Sequence, residues 1–140
     1  MKTLYTAEAL ATGAGRDGHG RSADGRLDLD LAVPTQMGGS GEGTNPEQLF
    51  AVGYAACFHS ALQLVAREAK ADVTDSSVGS RVHIGQTETG GMQLAVELEV
   101  ALPTLESEAA QQLADRAHEV CPYSNATRGN IDVTITVTKD

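Results

Sequence analysis

Residues 45–70 read NPEQLFAVGYAACFHSALQLVAREAK and decide the fold, because they form the longest apolar, helix-compatible segment of the chain. Asn45 suits the N-cap, and Pro46 suits the first helical position, where its missing N–H leaves no hydrogen bond unmade. From residue 49 to 65 the segment is apolar almost all round, so we predict a helix to about Lys70 that is buried on more than one face. A chain of 140 residues has few other residues with which to bury such a helix on all sides. We therefore expect a partner chain to bury part of its surface.

Strand patterns flank this helix on both sides. Alternating apolar and polar residues, or β-rich runs bounded by turns, indicate strands. The strand segments are residues 5–12, 27–33, 78–84, 92–102 and 131–137, with another between the glycine-rich turn at 13–18 and the hairpin signal Asp24-Gly25. With a second helix before the last strand, the order β-β-β-α-β-β-α-β predicts a single α+β domain over residues 1–140.

The second helix carries its own periodic signal. Thr104 is its expected cap, and Pro122 is expected to end it. The residues that recur every fourth position are Leu105, Ala109, Leu113, Ala117 and Cys121. Residues four apart share one face of a helix, so Cys121 is predicted on or near the buried stripe.

Composition excludes several classes of function. The chain has 10 Lys and Arg against 19 Asp and Glu, a net charge of −9 that opposes binding to nucleic acid. Residues 1–8 lack an apolar signal core, and the unbroken apolar run at 49–58 is shorter than the ~18 residues of a membrane span. We therefore expect a soluble, cytoplasmic protein that binds no membrane. In that compartment a cysteine pair is more often catalytic, redox-sensing or free than a structural disulfide.

The two cysteines carry the clearest chemistry of the chain. Cys57 lies in an apolar helix and is expected to be sheltered, whereas Cys121 stands at a helix end from which it can move toward a partner. Burial raises the pKa of a thiol unless a cation offsets it, and Arg16, in a glycine-rich turn, is the candidate cation. Its guanidinium needs a carboxylate to fix its orientation, and Glu47 is available in the first turn of the helix. The alternative is that Arg16 is an exposed turn residue and Glu47 complements the helix dipole.

Four short segments, in a fixed order, resemble a known family. They are GRDG at 15–18, TNPEQLF at 44–50, GYAACF at 53–58 and VCPYS at 120–124. Together they make essentially the whole chain similar to the organic hydroperoxide resistance (Ohr) proteins of the Ohr/OsmC superfamily. The resemblance implies an OsmC-like fold, α+β with two antiparallel-type β-sheets and two main helices. It also implies an intertwined homodimer with active sites at the subunit interface.

The resemblance implies an activity and the residues that carry it. The activity is that of a thiol-dependent peroxidase that prefers organic hydroperoxides and serves the response to oxidative stress. Cys57 is then the peroxidatic cysteine and Cys121 the resolving cysteine, while Arg16 and Glu47 form the polar network that activates the thiolate. The implied reductant is a dihydrolipoyl group on a lipoylated protein, or dihydrolipoamide, and no cofactor is expected.

Two further hypotheses concern the surroundings of Cys57. The candidates for an apolar pocket wall, which suit a plain core equally well, are Phe50, Tyr54 and Phe58. Glu47 and Cys57 are ten residues apart (57 minus 47) on one predicted helix, or about 15 Å along its axis. We therefore hypothesise that Glu47 completes the partner's site in a dimer whose helices cross antiparallel near Val52, with Gly53 allowing the close approach.

Other functions stay open at this point. The chain offers a possible metal set in Cys57, His59, His118 and Cys121, but its spacings do not match a standard zinc framework, so no metal site is predicted. An OsmC-type peroxidase of broader substrate range is one alternative to the organic hydroperoxide peroxidase. A non-catalytic thiol protein that binds a hydrophobic ligand or acts as a sensor is another.

Overall fold

The computed structural model describes all 140 residues, which form two compact units, Met1–Leu49 and Phe50–Asp140. Strands and α-helices follow the order β-β-β-α-β-β-α-α-β. Two three-stranded sheets and two main helices confirm the predicted α+β class. The organisation of residues 1–140 as a single domain stays a prediction.

The first unit is a small antiparallel sheet that leads into the long helix. Its strands are β1 (Ala9–Thr12), β2 (His19–Ser22) and β3 (Asp28–Asp30), in the order β1-β2-β3. A one-turn 3-10 helix, Gly15–Asp17, joins β1 to β2, and Gly25, at φ +74°, serves the predicted hairpin between β2 and β3. β3 is shorter than predicted. After Asp30, Leu31 forms an isolated bridge with Thr44, while its N–H donates to the carbonyl of Gly18 at 2.9 Å.

The second unit contains most of the long helix, the other sheet and two shorter helices. Its elements are α1 (Pro46–Ala69), which begins in the first unit, β4 (Ser77–Gln86), β5 (Met92–Ala101), α2 (Ser107–Val120), α3 (Pro122–Thr127) and β6 (Val133–Thr138). Local signals fix both ends of α1 close to the predicted bounds. The side chain of Asn45 accepts a hydrogen bond of 2.8 Å from the N–H of Gln48, and Lys70 leaves the helical region at φ +54°.

The second sheet is mixed, with the order β4-β5-β6. β4 and β5 pair antiparallel, with Val82 opposite Val96, whereas β6 pairs in parallel with β5. This differs from the antiparallel-type sheets that the resemblance implies. The reason is that α2 and α3 lie between β5 and β6, and a crossover of this length returns the chain to the end of the sheet from which β5 starts.

One face of α1 lies in the core of the second unit. Its residues Tyr54, Phe58, Leu62 and Val65 are no more than 2% exposed and form one cluster with apolar residues of β5 and α2. On the opposite face Val52 is 71% exposed and Leu64 is 44% exposed. The predicted burial on more than one face is therefore wrong for a single chain, because the elements of this core cover one side of the helix.

α1 is also long and apolar enough to cross a membrane, judged by length and composition alone. It has 24 residues and a mean hydropathy of 1.5 over its most apolar window, of which 33% is buried. Core helices of soluble proteins pass the same test. The sequence expectation counted only the unbroken run at 49–58, whereas His59 and Ser60 dilute the apolar segment without ending it.

Candidate active site

The two cysteine sulfur atoms lie 3.6 Å apart in the second unit, and both are free thiols. Cys121 is fully buried, as its place on the stripe of the second helix predicts, whereas Cys57, which the sequence predicts to be sheltered, is half-buried. The buried stripe of α1 runs through Tyr54 and Phe58. Cys57 lies about 100° around the helix from Phe58 and so stands at the edge of that stripe.

Cys121 continues the buried stripe of α2, as the sequence predicts. The buried residues of that helix are Ala110, Leu113, Ala114 and Ala117. Ala109 was expected on the same stripe but is exposed. Steps of four residues turn a helix by 400° and therefore drift by about 40° each, which carries Ala109 off the buried face.

Cys121 occupies a corner between two helices. Its N–H donates to the carbonyl of Ala117 at 2.9 Å, and its own carbonyl accepts from the N–H of Asn125 at 3.0 Å. Pro122 follows the end of α2, as predicted, and it also takes the first position of α3. The sequence predicts a mobile helix end at Cys121. In the structure, however, the N–H and the carbonyl of this residue are both hydrogen-bonded within the backbone.

The surroundings of Cys57 act on its acidity in both directions. Burial raises the pKa of the thiol, because the thiolate loses solvation. A hydrogen bond from the backbone N–H of Tyr123 lowers that pKa, while the neighbouring Cys121 thiol raises it. Sequence reasoning missed Tyr123 as a donor. The signal was Pro122, since a proline that starts a helix leaves the next N–H groups without helical partners.

Three aromatic rings pack together near Cys57, two from the preceding turns of α1 and one from α3. The ring centroids of Phe50, Tyr54 and Tyr123 lie 5.7–6.0 Å from one another, with Phe50 edge-on to Tyr54. Tyr123 lies over Gly53, where an added Cβ atom would come within 3.1 Å of the tyrosine hydroxyl. Gly53 therefore makes room for a ring of its own chain. Its use as a crossing point for a second helix stays a prediction.

The predicted wall residues occupy different places. Tyr54 and Phe58 are fully buried in the core, whereas Phe50 lines an open cleft of about 570 Å³. The other residues that line this cleft are apolar, Met92, Leu94, Ala126 and Ile131, and polar, Gln93, Thr127 and Asn130. Of the three aromatic side chains, only Phe50 therefore faces a space large enough for a ligand.

The structure brings Arg16 and Glu47 together in the first unit. Two parallel hydrogen bonds of 2.7 Å and 2.8 Å join the guanidinium to the carboxylate. The 3-10 turn holds Arg16, with Gly15 at φ +62°, and the first turn of α1 holds Glu47. The hydrogen bond to Arg16 lowers the pKa of Glu47, and the same bond raises the pKa of Arg16. Both groups are therefore held in their charged forms.

The histidines of the possible metal set bind elsewhere. Nε2 of His59 lies 3.0 Å from the hydroxyl of Ser76, and Nδ1 of His118 lies 2.8 Å from the hydroxyl of Ser124. One ring nitrogen of each histidine is therefore within hydrogen-bond distance of a serine hydroxyl.

Comparison with known proteins identifies the family. The model of the family described as OsmC-like protein matches residues 39–136. The chain is 54% identical to an organic hydroperoxide resistance protein of Xanthomonas axonopodis pv. citri (strain 306), covering 97% of this chain and 96% of that protein. A solved organic hydroperoxide resistance protein from Elizabethkingia anophelis superposes with a TM-score of 0.94 at 50% identity over 100% of both chains. One from Legionella pneumophila does so with a TM-score of 0.93 at 50% identity, over 98% of this chain and 99% of that chain. The chain belongs to the OsmC-like protein family.

Proposed function

We propose that this protein is a cysteine-based peroxidase that reduces organic hydroperoxides to alcohols. The observation that carries the proposal is the pair of free thiols 3.6 Å apart, one half-buried and one fully buried. A disulfide needs sulfur atoms about 2.05 Å apart, so a small approach suffices to join them. The names of the relatives, which refer to resistance to organic hydroperoxides, support the same substrate class.

The first half of the proposed reaction takes place at Cys57. Its thiolate attacks one oxygen of the hydroperoxide, an S–O bond forms and the O–O bond breaks. The departing alkoxide takes up a proton and leaves as the alcohol, and Cys57 becomes a sulfenic acid. In this proposal Arg16, held by Glu47, stabilises the thiolate and the charge that develops on the separating oxygens. The backbone N–H of Tyr123 supports the same charge.

The second half of the proposed reaction uses Cys121 and an external dithiol. The Cys121 sulfur displaces the hydroxyl group of the sulfenic acid, which leaves as water, and a disulfide to Cys57 remains. A dihydrolipoyl group, on a lipoylated protein or as dihydrolipoamide, then reduces that disulfide by thiol–disulfide exchange. The exchange returns both cysteines to thiols and leaves an oxidised lipoyl group.

Alkyl and lipid hydroperoxides are the proposed substrates. The cleft beside Phe50 has a mixed lining, and Leu94 and Ile131 provide the apolar part to which a hydrocarbon group is proposed to bind. In this proposal Phe50 contacts the substrate, and the buried rings of Tyr54 and Phe58 shape the wall behind it. Hydrogen peroxide has no group that would use such a surface.

We further propose a cytoplasmic homodimer. The apolar side chains of Leu49, Val52 and Leu64 on α1 are exposed in a single chain, and burying them against a second copy would remove apolar surface from water. Glu47 is proposed to complete the partner's site. Mixed dimers of Cys57→Ser and Glu47→Ala chains would regain activity if this is correct. Mixed dimers no more active than either mutant homodimer would place the action of Glu47 within its own chain.

Turnover of tert-butyl hydroperoxide and of hydrogen peroxide, with dihydrolipoamide as reductant, tests the proposed function. We expect faster turnover of the organic peroxide and complete loss of turnover in Cys57→Ser. A Thr136→Val variant, altered on the exposed face of β6, is the matched control and should behave as the wild type. Equal turnover of both peroxides would favour an OsmC-type peroxidase of broader range. Absence of turnover in reduced, folded protein would favour a ligand-binding or sensor protein.

A further inference from the structure

A buried hydrogen-bond network joins three helices around Cys121. The hydroxyl oxygen of Tyr54 lies 2.9 Å from Oγ of Ser124 and 3.0 Å from Oγ1 of Thr127. Nδ1 of His118 lies 2.8 Å from the same Ser124 oxygen. Tyr54 and Ser124 are fully buried, and Thr127 is 5% exposed. The network therefore connects α1, through Tyr54, with the corner between α2 and α3.

Counting the protons fixes the direction of each bond in this network. Thr127 donates its only hydroxyl proton to the carbonyl of Ser124, at 3.2 Å, and so it accepts from Tyr54. Tyr54 has then used its own proton and accepts from Ser124. Ser124 has none left for His118, so the imidazole must donate through Nδ1–H. A fully satisfied network therefore selects the Nδ1–H form of His118.

The network spans the resolving cysteine. His118 comes three residues before Cys121 and Ser124 three residues after it, so their mutual hydrogen bond closes the corner around the thiol. The guanidinium of Arg128 donates to the carbonyl of His118 and reinforces that corner. Tyr54 comes three residues before Cys57 on α1, and its hydroxyl therefore ties the corner to the helix that carries the other thiol.

On the basis of the proposed peroxidase function, we propose that Tyr54, Ser124 and His118 are positioning residues for the condensation of Cys121 with oxidised Cys57. In that step the S–O bond of the sulfenic acid breaks and the S–S bond forms. The hydroxyl group leaves as water with the proton of the Cys121 thiol. The sulfurs must close from 3.6 Å to about 2.05 Å, so a corner held close to that geometry speeds the step. The earlier attack of Cys57 on the peroxide does not use the network.

Tyr54→Phe tests the proposal by removing one buried oxygen while keeping the ring. We expect disulfide formation to become about tenfold slower, because a buried hydrogen bond is lost. The oxidation of Cys57 by tert-butyl hydroperoxide should slow much less, because the variant keeps the ring that belongs to the proposed pocket wall. Slow condensation leaves the sulfenic acid open to a second peroxide. Sulfinic acid at Cys57, detected by intact-mass spectrometry, should therefore appear at lower peroxide concentration. Thr136→Val removes an exposed hydroxyl and is the matched control.

Two substitutions of His118 separate positioning from general stability. Asparagine presents an N–H donor close to the place of Nδ1, so His118→Asn should keep most of the rate of disulfide formation. His118→Leu has no donor and should slow that step as Tyr54→Phe does. A purely structural role predicts instead that the rate follows the melting temperature, whatever donor is present. These variants also test the proposal if Tyr54→Phe does not fold.

The outcomes that overturn each proposal are distinct. Equal slowing of both steps in Tyr54→Phe and His118→Leu, or an unchanged ratio of disulfide to sulfinic acid, overturns the positioning network. Wild-type protein whose Cys57 is not oxidised by the hydroperoxide overturns the proposed function itself. That measurement precedes any comparison of variants.

Discussion

The pair of Arg16 and Glu47 shows how a single residue acquires a defined orientation. A guanidinium in a surface turn has many rotamers, but two parallel hydrogen bonds to one carboxylate leave it few. The arginine remains 38% exposed, whereas the glutamate is 13% exposed. The carboxylate therefore serves as the fixed member of the pair, and the arginine is the member that can face a reacting group.

Arg16→Lys should lower the rate of Cys57 oxidation although it keeps the positive charge. An ammonium cannot form the two parallel bonds to Glu47, and losing one charged hydrogen bond corresponds to about 10- to 100-fold in rate. The measurement is the second-order rate constant with tert-butyl hydroperoxide. Arg26→Lys, at an arginine whose side chain is 89% exposed, is the control and should leave the rate unchanged. An unaltered rate in Arg16→Lys would show that Cys57 oxidation does not require the paired hydrogen bonds of the guanidinium.

The lowered pKa of Glu47 predicts a specific dependence of stability on pH. A glutamate in an unfolded chain titrates near ~4.3. Because the hydrogen bond to Arg16 lowers the pKa in the folded protein, the pair stabilises the fold above that value. That stability is lost as the pH falls through the folded pKa.

Urea unfolding of wild type and Glu47→Gln at a series of pH values measures this effect. The difference in the free energy of unfolding should be largest near neutral pH and shrink below about pH 4. Glu42→Gln, which removes an exposed negative charge from a loop, is the matched control. A difference that stays constant as the pH falls would contradict the assignment.

At the scale of elements, local signals predicted the ends of α1 better than they predicted faces and directions. They were wrong for the start of α2, because Thr104 donates to the carbonyl of Asp72 and Glu106 is the N-cap. Asn45 and Pro46 predicted the start of α1 because a cap is a local hydrogen bond. The exposure of Cys57 depends on a helix rotation of about 100°, which an almost uniformly apolar segment does not specify. Alternation along β6 predicted a strand but carries no information on direction, so its parallel pairing was not predictable. Tyr123 meets Gly53 through tertiary packing, which no local pattern encodes.

The two faces of α1 should respond differently to the same substitution. Leu62→Ala removes a fully buried side chain and should cost about 2–5 kcal/mol of unfolding free energy. Leu64→Ala, two residues later, changes a side chain that is 44% exposed in a single chain and should cost much less in the monomer. Urea unfolding of both variants, at a protein concentration below the dissociation constant of the proposed dimer, makes the comparison. An equal cost at that concentration would contradict the exposure of Leu64 in the single chain.

At the scale of the whole molecule, the exposed apolar face of α1 is the surface that a second copy is proposed to cover. Val52→Glu places a charge at the residue of this face that is 71% exposed, and it should weaken the dimer because a buried, unpaired carboxylate is costly. Sedimentation equilibrium of wild type and variant measures the dissociation constant. Thr136→Glu adds the same charge on an exposed strand and should have no effect. A monomeric wild type, or an unchanged constant in Val52→Glu, would refute the proposed interface.

The two cysteine sulfurs lie close together although they are 64 positions apart along the chain. A disulfide between them would therefore restrict the conformations of the unfolded chain. Joining them would close a long covalent ring in the unfolded ensemble, and a chain-entropy estimate for such a ring is about 4 kcal/mol. By this argument the disulfide form of the protein should resist heat and proteases better than the dithiol form, and each turn of the proposed cycle would tighten and then relax the chain. A reductant of the Cys57–Cys121 disulfide must therefore break a bond that also stabilises the folded protein.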